Sequence, residues 1–381
     1  MDLALYRKYR PKSFKEVVGQ EHIVKSLQGA LELGKTSHAY LFVGPRGTGK
    51  TTMARLLAKT LNCANLSIFS KENIGDKLSI RRSFSEGGPE PCNTCFICQE
   101  FNEGRNLDLT EIDAASNRGI DEIRNLRESV RFGPTHSKYK VYIIDEVHQL
   151  TDAAFNALLK TLEEPPSHAI FILASTEPQK IPETISSRTQ QFYFRNLTQS
   201  QILEKLNKVA KAEKLNIDDD GLRIVALSGH GSLRDAESNL AKLISFGNKK
   251  IALSEVEEML GFIPLKSFYD FTGLLILGKL EEAVDFINAL YEEGLDLEEF
   301  SKSYINYLRR LLISNLNPAT FVNFAGYNQE EVRLVSSQAK VLTKDQIVRL
   351  VKIFMRAKEE MRISPIQQLP LELAVIEYFE N

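Results

Sequence analysis

Two short stretches carry residue types suited to phosphate chemistry. The first, Gly44-Pro45-Arg46-Gly47-Thr48-Gly49-Lys50-Thr51, fits G-x-x-x-x-G-K-[ST] and follows a strand-like run over 38–43. Glycines let backbone N–H groups crowd around phosphate oxygens, a lysine neutralises the β- and γ-phosphates, and a threonine hydroxyl can ligate Mg²⁺. Residues 44–51, with Thr52 beside them, therefore predict a bound nucleoside triphosphate held through Lys50 and a magnesium ion held through Thr51. The next segment, 51–61, has apolar residues at helical spacing and neither Pro nor Gly, so a helix N-terminus faces the phosphates.

The second stretch, Val141-Tyr142-Ile143-Ile144-Asp145-Glu146, ends an apolar run in two carboxylates. Paired acids are common as solvated strand ends; downstream of a phosphate loop they predict more. Asp145 then belongs in the Mg²⁺ shell, and Glu146 orients or deprotonates an attacking water. Two arginines suit charge building on a γ-phosphoryl group, because a guanidinium meets it with forked donors. Arg188 lies in Ser186-Ser187-Arg188-Thr189, before the last strand-like run. Arg234 lies in the first turn of a predicted helix, where a cation opposes the helix dipole and calls for an anion, either a phosphate or the neighbouring Asp235.

All four cysteines fall at Cys63, Cys92, Cys95 and Cys98, and the last three have C-x2-C-x2-C spacing. In a chain with no secretory h-region, metal binding is the stronger reading over disulfides. Four thiolates without histidine predict structural, tetrahedral Zn²⁺. An iron-sulfur run and unliganded buried thiols are the alternatives, although the Cys-Pro that closes the ferredoxin pattern is missing.

Positioning these groups requires a layered scaffold. Strand-like runs at 40–43, 109–113, 141–145, 170–174 and 191–194 alternate with helical stretches, predicting an open parallel α/β sheet with helices on both faces. From Thr198 the period changes: Thr198-Gln199-Ser200-Gln201 is a capping-box candidate, and helices follow to the end, including 221–228 and 233–244, as two units meeting near Gly247. Residues 65–91 show no periodicity and read as an inserted mobile loop. At 381 residues the chain calls for two or three domains, and 43% hydrophobic with 26% charged residues is ordinary for a soluble protein. No run approaches a membrane span, so a cytoplasmic location is expected. A net charge of −2 restricts any DNA-binding surface to a local patch or one assembled from several subunits.

Longer strings in this order resemble the AAA+ ATPases, and more closely the gamma/tau family of bacterial DNA polymerase III clamp-loader subunits. They are Tyr6-Arg7-Lys8-Tyr9-Arg10-Pro11, Val18-Gly19-Gln20, His38-Ala39-Tyr40-Leu41-Phe42, Glu111-Ile112-Asp113-Ala114-Ala115-Ser116 and Ile144-Asp145-Glu146-Val147-His148. Residues 156–166, Ala174-Ser175-Thr176-Glu177-Pro178-Gln179-Lys180 and Gly231-Ser232-Leu233-Arg234-Asp235-Ala236 complete the set.

The resemblance implies roles residue by residue. Thr176 matches the sensor 1 position that helps to place the water. Arg188 matches the finger inserted into a neighbouring subunit's ATP site, and Arg234 matches sensor 2, reaching the nucleotide's own γ-phosphate. Tyr6, Arg10, Pro11, Val17 and Val18 match segments lining the adenine pocket, and the cysteines match the family's zinc module. Thr189 departs from the usual cysteine after the finger, and the gap from Cys63 to Cys92 is longer than usual. The implied domains are an AAA+ domain over 1–178 with a zinc module at about 62–103, a helical lid over 179–247 and a helical collar over 248–381.

The implied activity is ATP hydrolysis that opens a sliding clamp and loads it on primed DNA. The implied partners are delta, delta-prime and further gamma/tau subunits, the clamp, and primer-template DNA. Arg118, after the second strand, is placed where such loaders face the DNA backbone or else is a solvated loop residue. A catalytically weak scaffold subunit and another AAA+ motor, such as a branch-migration helicase, are the competing readings.

Overall fold

The computed structural model describes residues 4–66, 88–245, 251–318 and 329–380. Most of the loop expected at 65–91 and the junction expected near Gly247 lie outside the described residues. The chain divides into two compact units, Met1–Lys214 with Gly229–Ser245, and Leu215–Ser228 with Phe246–Asn381.

In the first unit five parallel strands are β1 Ala39–Val43, β2 Leu109–Asp113, β3 Lys140–Asp145, β4 Ala169–Ser175 and β5 Gln190–Tyr193. Their order is β2-β3-β4-β1-β5, with Leu41 opposite Leu173 and Ile144 opposite Leu173 on its other side. Each lies within one residue of its predicted run. The helices of this unit begin with α1 Leu5–Lys8, α2 Glu21–Glu32, α3 Lys50–Leu61, α4 Phe96–Glu103, α5 Ile120–Val130, α6 Asp152–Glu163, α7 Glu183–Ser186 and α8 Gln199–Ala212. After α9, Asp219–Ser228, which belongs to the second unit, α10, Leu233–Ile244, returns to the first.

Strand side chains alternate between two cores, as a period of two requires. Tyr40, Phe42, Val141, Ile143, Ile170 and Ile172 pack with Ile23, Leu27 and Leu31 of α2 and with Met53 and Leu57 of α3. Leu41, Tyr142, Ile144, Phe171 and Leu173 pack with Ile123 and Leu126 of α5 and with Phe155 and Leu158 of α6. Helices thus cover both faces, and β4 is buried at all seven positions, as a central parallel strand is. Leu173 is fully buried, so Leu173→Ala costs about 2–5 kcal/mol. The site-bearing loops follow the C-terminal ends of β1, β3 and β4, where ligands sit in open α/β sheets.

Helix ends are chemically marked. Thr198 and Gln201 form the predicted capping box of α8, and Ser232 caps α10 by accepting from Asp235 N at 3.2 Å.

The second unit is helical among its described residues, apart from one isolated bridge between Ile217 and Ile251. Its longest helix, Leu297–Leu316, buries Leu297, Phe300, Tyr304, Tyr307, Leu308 and Leu311 at three- and four-residue spacing. They meet Phe268, Phe271 and Phe354 in an aromatic core, where Tyr304 and Thr272 share a 3.0 Å hydroxyl–hydroxyl hydrogen bond. Among the described residues no single helix is long and apolar enough to cross a membrane.

Candidate functional site

Residues 44–49 bridge β1 and α3 in a backbone that demands glycine at two contacts. Gly44 has φ 152°, and a Cβ there would meet Phe194 O at 2.5 Å; Gly47 has φ 73°, and a Cβ there would fall on Ser232 Oγ. The loop is closed from inside by Thr48 Oγ1, which donates to Pro45 O at 2.8 Å. Gln20, fully buried, donates from Nε2 to Thr48 O and Arg195 O and accepts from Arg195 N, tying the loop to the segment after β5.

Lys50 opens α3 and is 6% exposed, its Nζ donating to Gly44 O at 2.7 Å and Pro45 O at 2.9 Å. Burial holds its ammonium below the usual lysine range, opposed by the negative charges of Glu146 and Asp145. Thr51 Oγ1 donates to Asp145 Oδ2 at 2.7 Å. Hydroxyl and carboxylate are hard oxygen donors, so this pair suits Mg²⁺.

Glu146 follows the end of β3 with φ 48°, an uncommon left-handed setting for a glutamate. Thr176, just after β4, donates from Oγ1 to Glu146 Oε2 at 2.9 Å. His148, its side chain 3% exposed, places Nδ1 3.4 Å from the same oxygen and 3.1 Å from Ser175 Oγ, with Nε2 3.2 Å from Glu177 Oε1. The Glu146 carboxylate is thus held by Thr176 from the next strand end and by His148 from its own loop, with Ser175 bracing the imidazole.

A cavity of about 800 Å³ runs from the phosphate loop towards α1. Lys50, Thr51, Thr52, Asp145, Glu146 and Arg234 line it, as do Tyr6, Arg10, Pro11, Val17 and Val18. The start of α10 is bonded to the loop through Leu233 N and Gly47 O at 3.2 Å. Arg234 stacks its guanidinium over the Tyr6 ring, 4.8 Å from the centroid, rather than engaging Asp235.

Two predicted arginines lie elsewhere. Arg188, beyond the end of α7, donates to Thr184 O at 2.9 Å and pairs with Glu163 Oε1 at 2.8 Å, outside the cavity of its own chain. Arg118 is exposed, with Nε donating to Ala115 O at 3.0 Å.

The Sγ atoms of Cys63, Cys92, Cys95 and Cys98 lie within 4.8 Å of one another, despite the long gap after Cys63. Tetrahedral bonds of about 2.3 Å to zinc set sulfurs about 3.8 Å apart, and Cys92 and Cys98 are separated by 3.9 Å. Backbone N–H groups of Cys92, Cys95 and Cys98 donate to Sγ of Cys63, Cys92 and Cys95 at 3.3–3.4 Å. The donor set fits a soft, tetrahedral metal ion.

Family models cover nearly the whole chain in three consecutive blocks. They are the DNA polymerase III delta subunit over 19–198, the clamp loader subunit ATPase lid domain over 201–249, and domain III of DNA polymerase III subunits gamma and tau over 251–380. The gamma subunit of Buchnera aphidicola subsp. Acyrthosiphon pisum is 34% identical over 98% of this chain and 97% of its own length. The chain belongs to the DNA polymerase III gamma/tau family. The tau subunits of Bacillus subtilis and Escherichia coli are 39% and 35% identical to this gamma/tau chain, which spans 62% and 54% of their lengths. A solved structure of the Thermotoga maritima RuvB branch-migration motor matches only loosely, at 16% identity and a TM-score of 0.46 over 76% of this chain and 86% of its own. Membership of the gamma/tau family therefore rests on the sequence relatives.

Several residues of this gamma/tau chain enter the site without having been singled out from sequence. Lys59, Lys205 and Glu237 all line the cavity. Glu237 is 4% exposed, and burial pushes its carboxyl up to about 7 against the pull of Lys205 and Arg10. Its signal was present: it lies three residues after Arg234, on the same side of α10. Lys59 carried no such signal: it lies about two and a half turns along α3 from Lys50, on the opposite side of the helix.

Proposed function

We propose that this chain is an ATP-hydrolysing motor subunit of a bacterial clamp loader, using ATP binding and hydrolysis to open the sliding clamp and load it on primed DNA. The observation that carries the reading is that Lys50, Thr51, Asp145 and Glu146 line one end of the cavity, with Thr51 bonded to Asp145 at 2.7 Å and Glu146 to Thr176 behind it at 2.9 Å. A scaffold subunit has no use for a complete set of this kind. Lys50 neutralises the β- and γ-phosphates. Thr51 and Asp145 hold Mg²⁺, which when bound offsets phosphate charge. Glu146 orients the attacking water and accepts its proton, with Thr176 fixing the carboxylate, and Arg234 leaves Tyr6 for the γ-phosphate. Tyr6, Arg10, Pro11, Val17 and Val18 enclose the adenine.

In this reading the site is shared. Arg188 comes from a neighbouring subunit and meets charge on the γ-phosphoryl oxygens, worth about 10³–10⁵ in rate or roughly 4–7 kcal/mol. DNA entering the assembled ring aligns these arginines and triggers hydrolysis. The neighbours are delta, delta-prime and further gamma/tau copies, in the bacterial cytoplasm.

The division into an AAA+ domain, a lid and a collar belongs to the same proposal, with the first boundary moved from the expected 178 to beyond β5, which pairs with β1 and completes the sheet. Residues 62–103 form the zinc module, with Cys63, Cys92, Cys95 and Cys98 holding Zn²⁺. The collar reading draws support from apolar residues at the surface of the second unit: Ile363, Ile366 and Leu373 are 86%, 54% and 50% exposed.

The test is the steady-state ATPase rate of the reconstituted complex with and without primed DNA and clamp. Stimulation by both together is expected. A rate indifferent to either contradicts a loader role.

A further inference from the structure

Lys59 is a lysine in an unusual setting: 3% exposed and about two and a half turns into the helix that begins at the phosphate-loop lysine. Its Nζ donates to Lys12 O at 2.6 Å, Asn93 Oδ1 at 2.7 Å and Asn102 Oδ1 at 2.8 Å. One ammonium thereby joins three parts of the fold. Lys12 follows Arg10 and Pro11 of the base-binding wall. Asn93 lies between Cys92 and Cys95, and Asn102 is on α4, which Cys98 helps to form.

A second tie runs in parallel. Glu90, two residues before Cys92, accepts from Phe14 N at 2.7 Å and Lys15 N at 3.1 Å, while Gln28 Nε2 donates to Pro89 O at 3.2 Å. Residues 12–15 are therefore fastened on both sides to the cysteine segment, and they connect Pro11 to Val17 and Val18 in the cavity wall.

We propose that Lys59 is a positioning residue coupling the four-cysteine site to the nucleotide pocket, so that metal at Cys63, Cys92, Cys95 and Cys98 raises the affinity for ATP. The inference rests on the zinc reading given above. Four thiolates around one divalent ion carry a net charge of −2, a counter-charge for an ammonium otherwise buried at a cost. A metal-bound cluster fixes residues 92–98 and with them the Asn93 and Asn102 oxygens that hold the Lys59 ammonium against Lys12 O; without metal those acceptors lose their anchor. Binding free energies are reciprocal, so ATP tightens the metal by the same factor.

The test uses the full chain, loaded with zinc or stripped by a zinc-selective chelator, titrated with a fluorescent N-methylanthraniloyl ATP in Mg²⁺. Stripping is expected to weaken binding at least about fivefold, within the usual range for coupled sites. Lys59→Met is expected to retain stoichiometric zinc while its two forms bind the analogue within about twofold of each other. A milder variant, Asn93→Gly with Asn102→Ala, keeps the left-handed backbone at residue 93 (φ 59°) and removes two acceptors from Lys59; it is expected to halve the effect or more. Equal affinity of loaded and stripped wild-type chain, or undiminished coupling in both variants, overturns the inference. A chain that takes up no zinc refutes the metal reading itself and is recognised separately by metal analysis.

Discussion

Thr176 Oγ1 donates to Glu146 Oε2 across 2.9 Å, joining the end of β4 to the acid that follows β3. The bond crosses between two neighbouring strands of the sheet, so the direction of the carboxylate depends on strand register rather than on one flexible loop. Glu146→Gln keeps the shape and removes the proton acceptor. Turnover is expected to fall at least about tenfold while nucleotide still binds, as equilibrium binding and single-turnover hydrolysis will report. Thr176→Val is expected to lower kcat with little change in KM, because it releases the carboxylate without touching the phosphate loop.

Arg188 and Glu163 form a partly exposed pair at 2.8 Å. Such pairs contribute about 0–1 kcal/mol to stability. Arg188→Ala is therefore expected to melt within a few degrees of wild type and to bind nucleotide nearly as well, yet to lose DNA-stimulated turnover by about 10³-fold or more. Strong residual stimulation counts against the finger assignment.

Glu237 supplies a pH test. Its carboxyl is raised to about 7 in the fold by burial, against an ordinary value of 4.5, with Lys205 and Arg10 opposing. Between these values the folded chain holds a proton that the unfolded chain has released. Stability contributed by the neutral acid is thus lost as pH rises through that window, up to about 3 kcal/mol. Glu237→Gln cannot ionise. Its melting temperature is expected to exceed that of wild type at about pH 8 and to match it at about pH 4.5; a constant difference across the range contradicts the account.

Zinc content decides the cysteine site. Purified chain is expected to carry one equivalent of zinc and no visible absorbance. A brown protein indicates an iron-sulfur cluster instead. Cys63→Ser is expected to lower metal affinity as much as Cys95→Ser, since both sulfurs belong to the same cluster.

The exposed apolar residues of the second unit bear on assembly. Ile363→Asp with Leu373→Asp is expected to shift the chain towards monomer in light scattering while leaving nucleotide binding intact. Unchanged assembly removes these residues from the collar contact.

Much of this arrangement was legible in the sequence, for identifiable reasons. The buried strands β1, β3 and β4 leave continuous apolar runs, and the more exposed edge strands β2 and β5 were placed within one residue as well. The phosphate loop and Asp145-Glu146 were legible because their chemistry is carried by adjacent residues. Cys63 was harder, since nothing local ties it to residues 29 or more positions away. Lys59 and Glu237 escaped notice because a lone lysine or glutamate on a helix normally faces water. Only long-range packing puts Lys59 under residues 12, 93 and 102, and Glu237 beside Lys205 and Arg10. The contact of Ser232 with Gly47 is equally non-local: the helix at 233–244 was predicted, but not that its start would rest on the phosphate loop.

The central claim is a hydrolytic site completed by a second subunit, and mixing two defective chains tests it most directly. Chains with Glu146→Gln lack the base and keep Arg188; chains with Arg188→Ala keep the base and lack the finger. Each alone, in a reconstituted complex with primed DNA and clamp, is expected to show almost no stimulated hydrolysis. Mixed before assembly, they are expected to recover a measurable fraction of wild-type rate, because some interfaces unite an intact Glu146 with an intact Arg188. A mixture no more active than the sum of its parts contradicts the shared site.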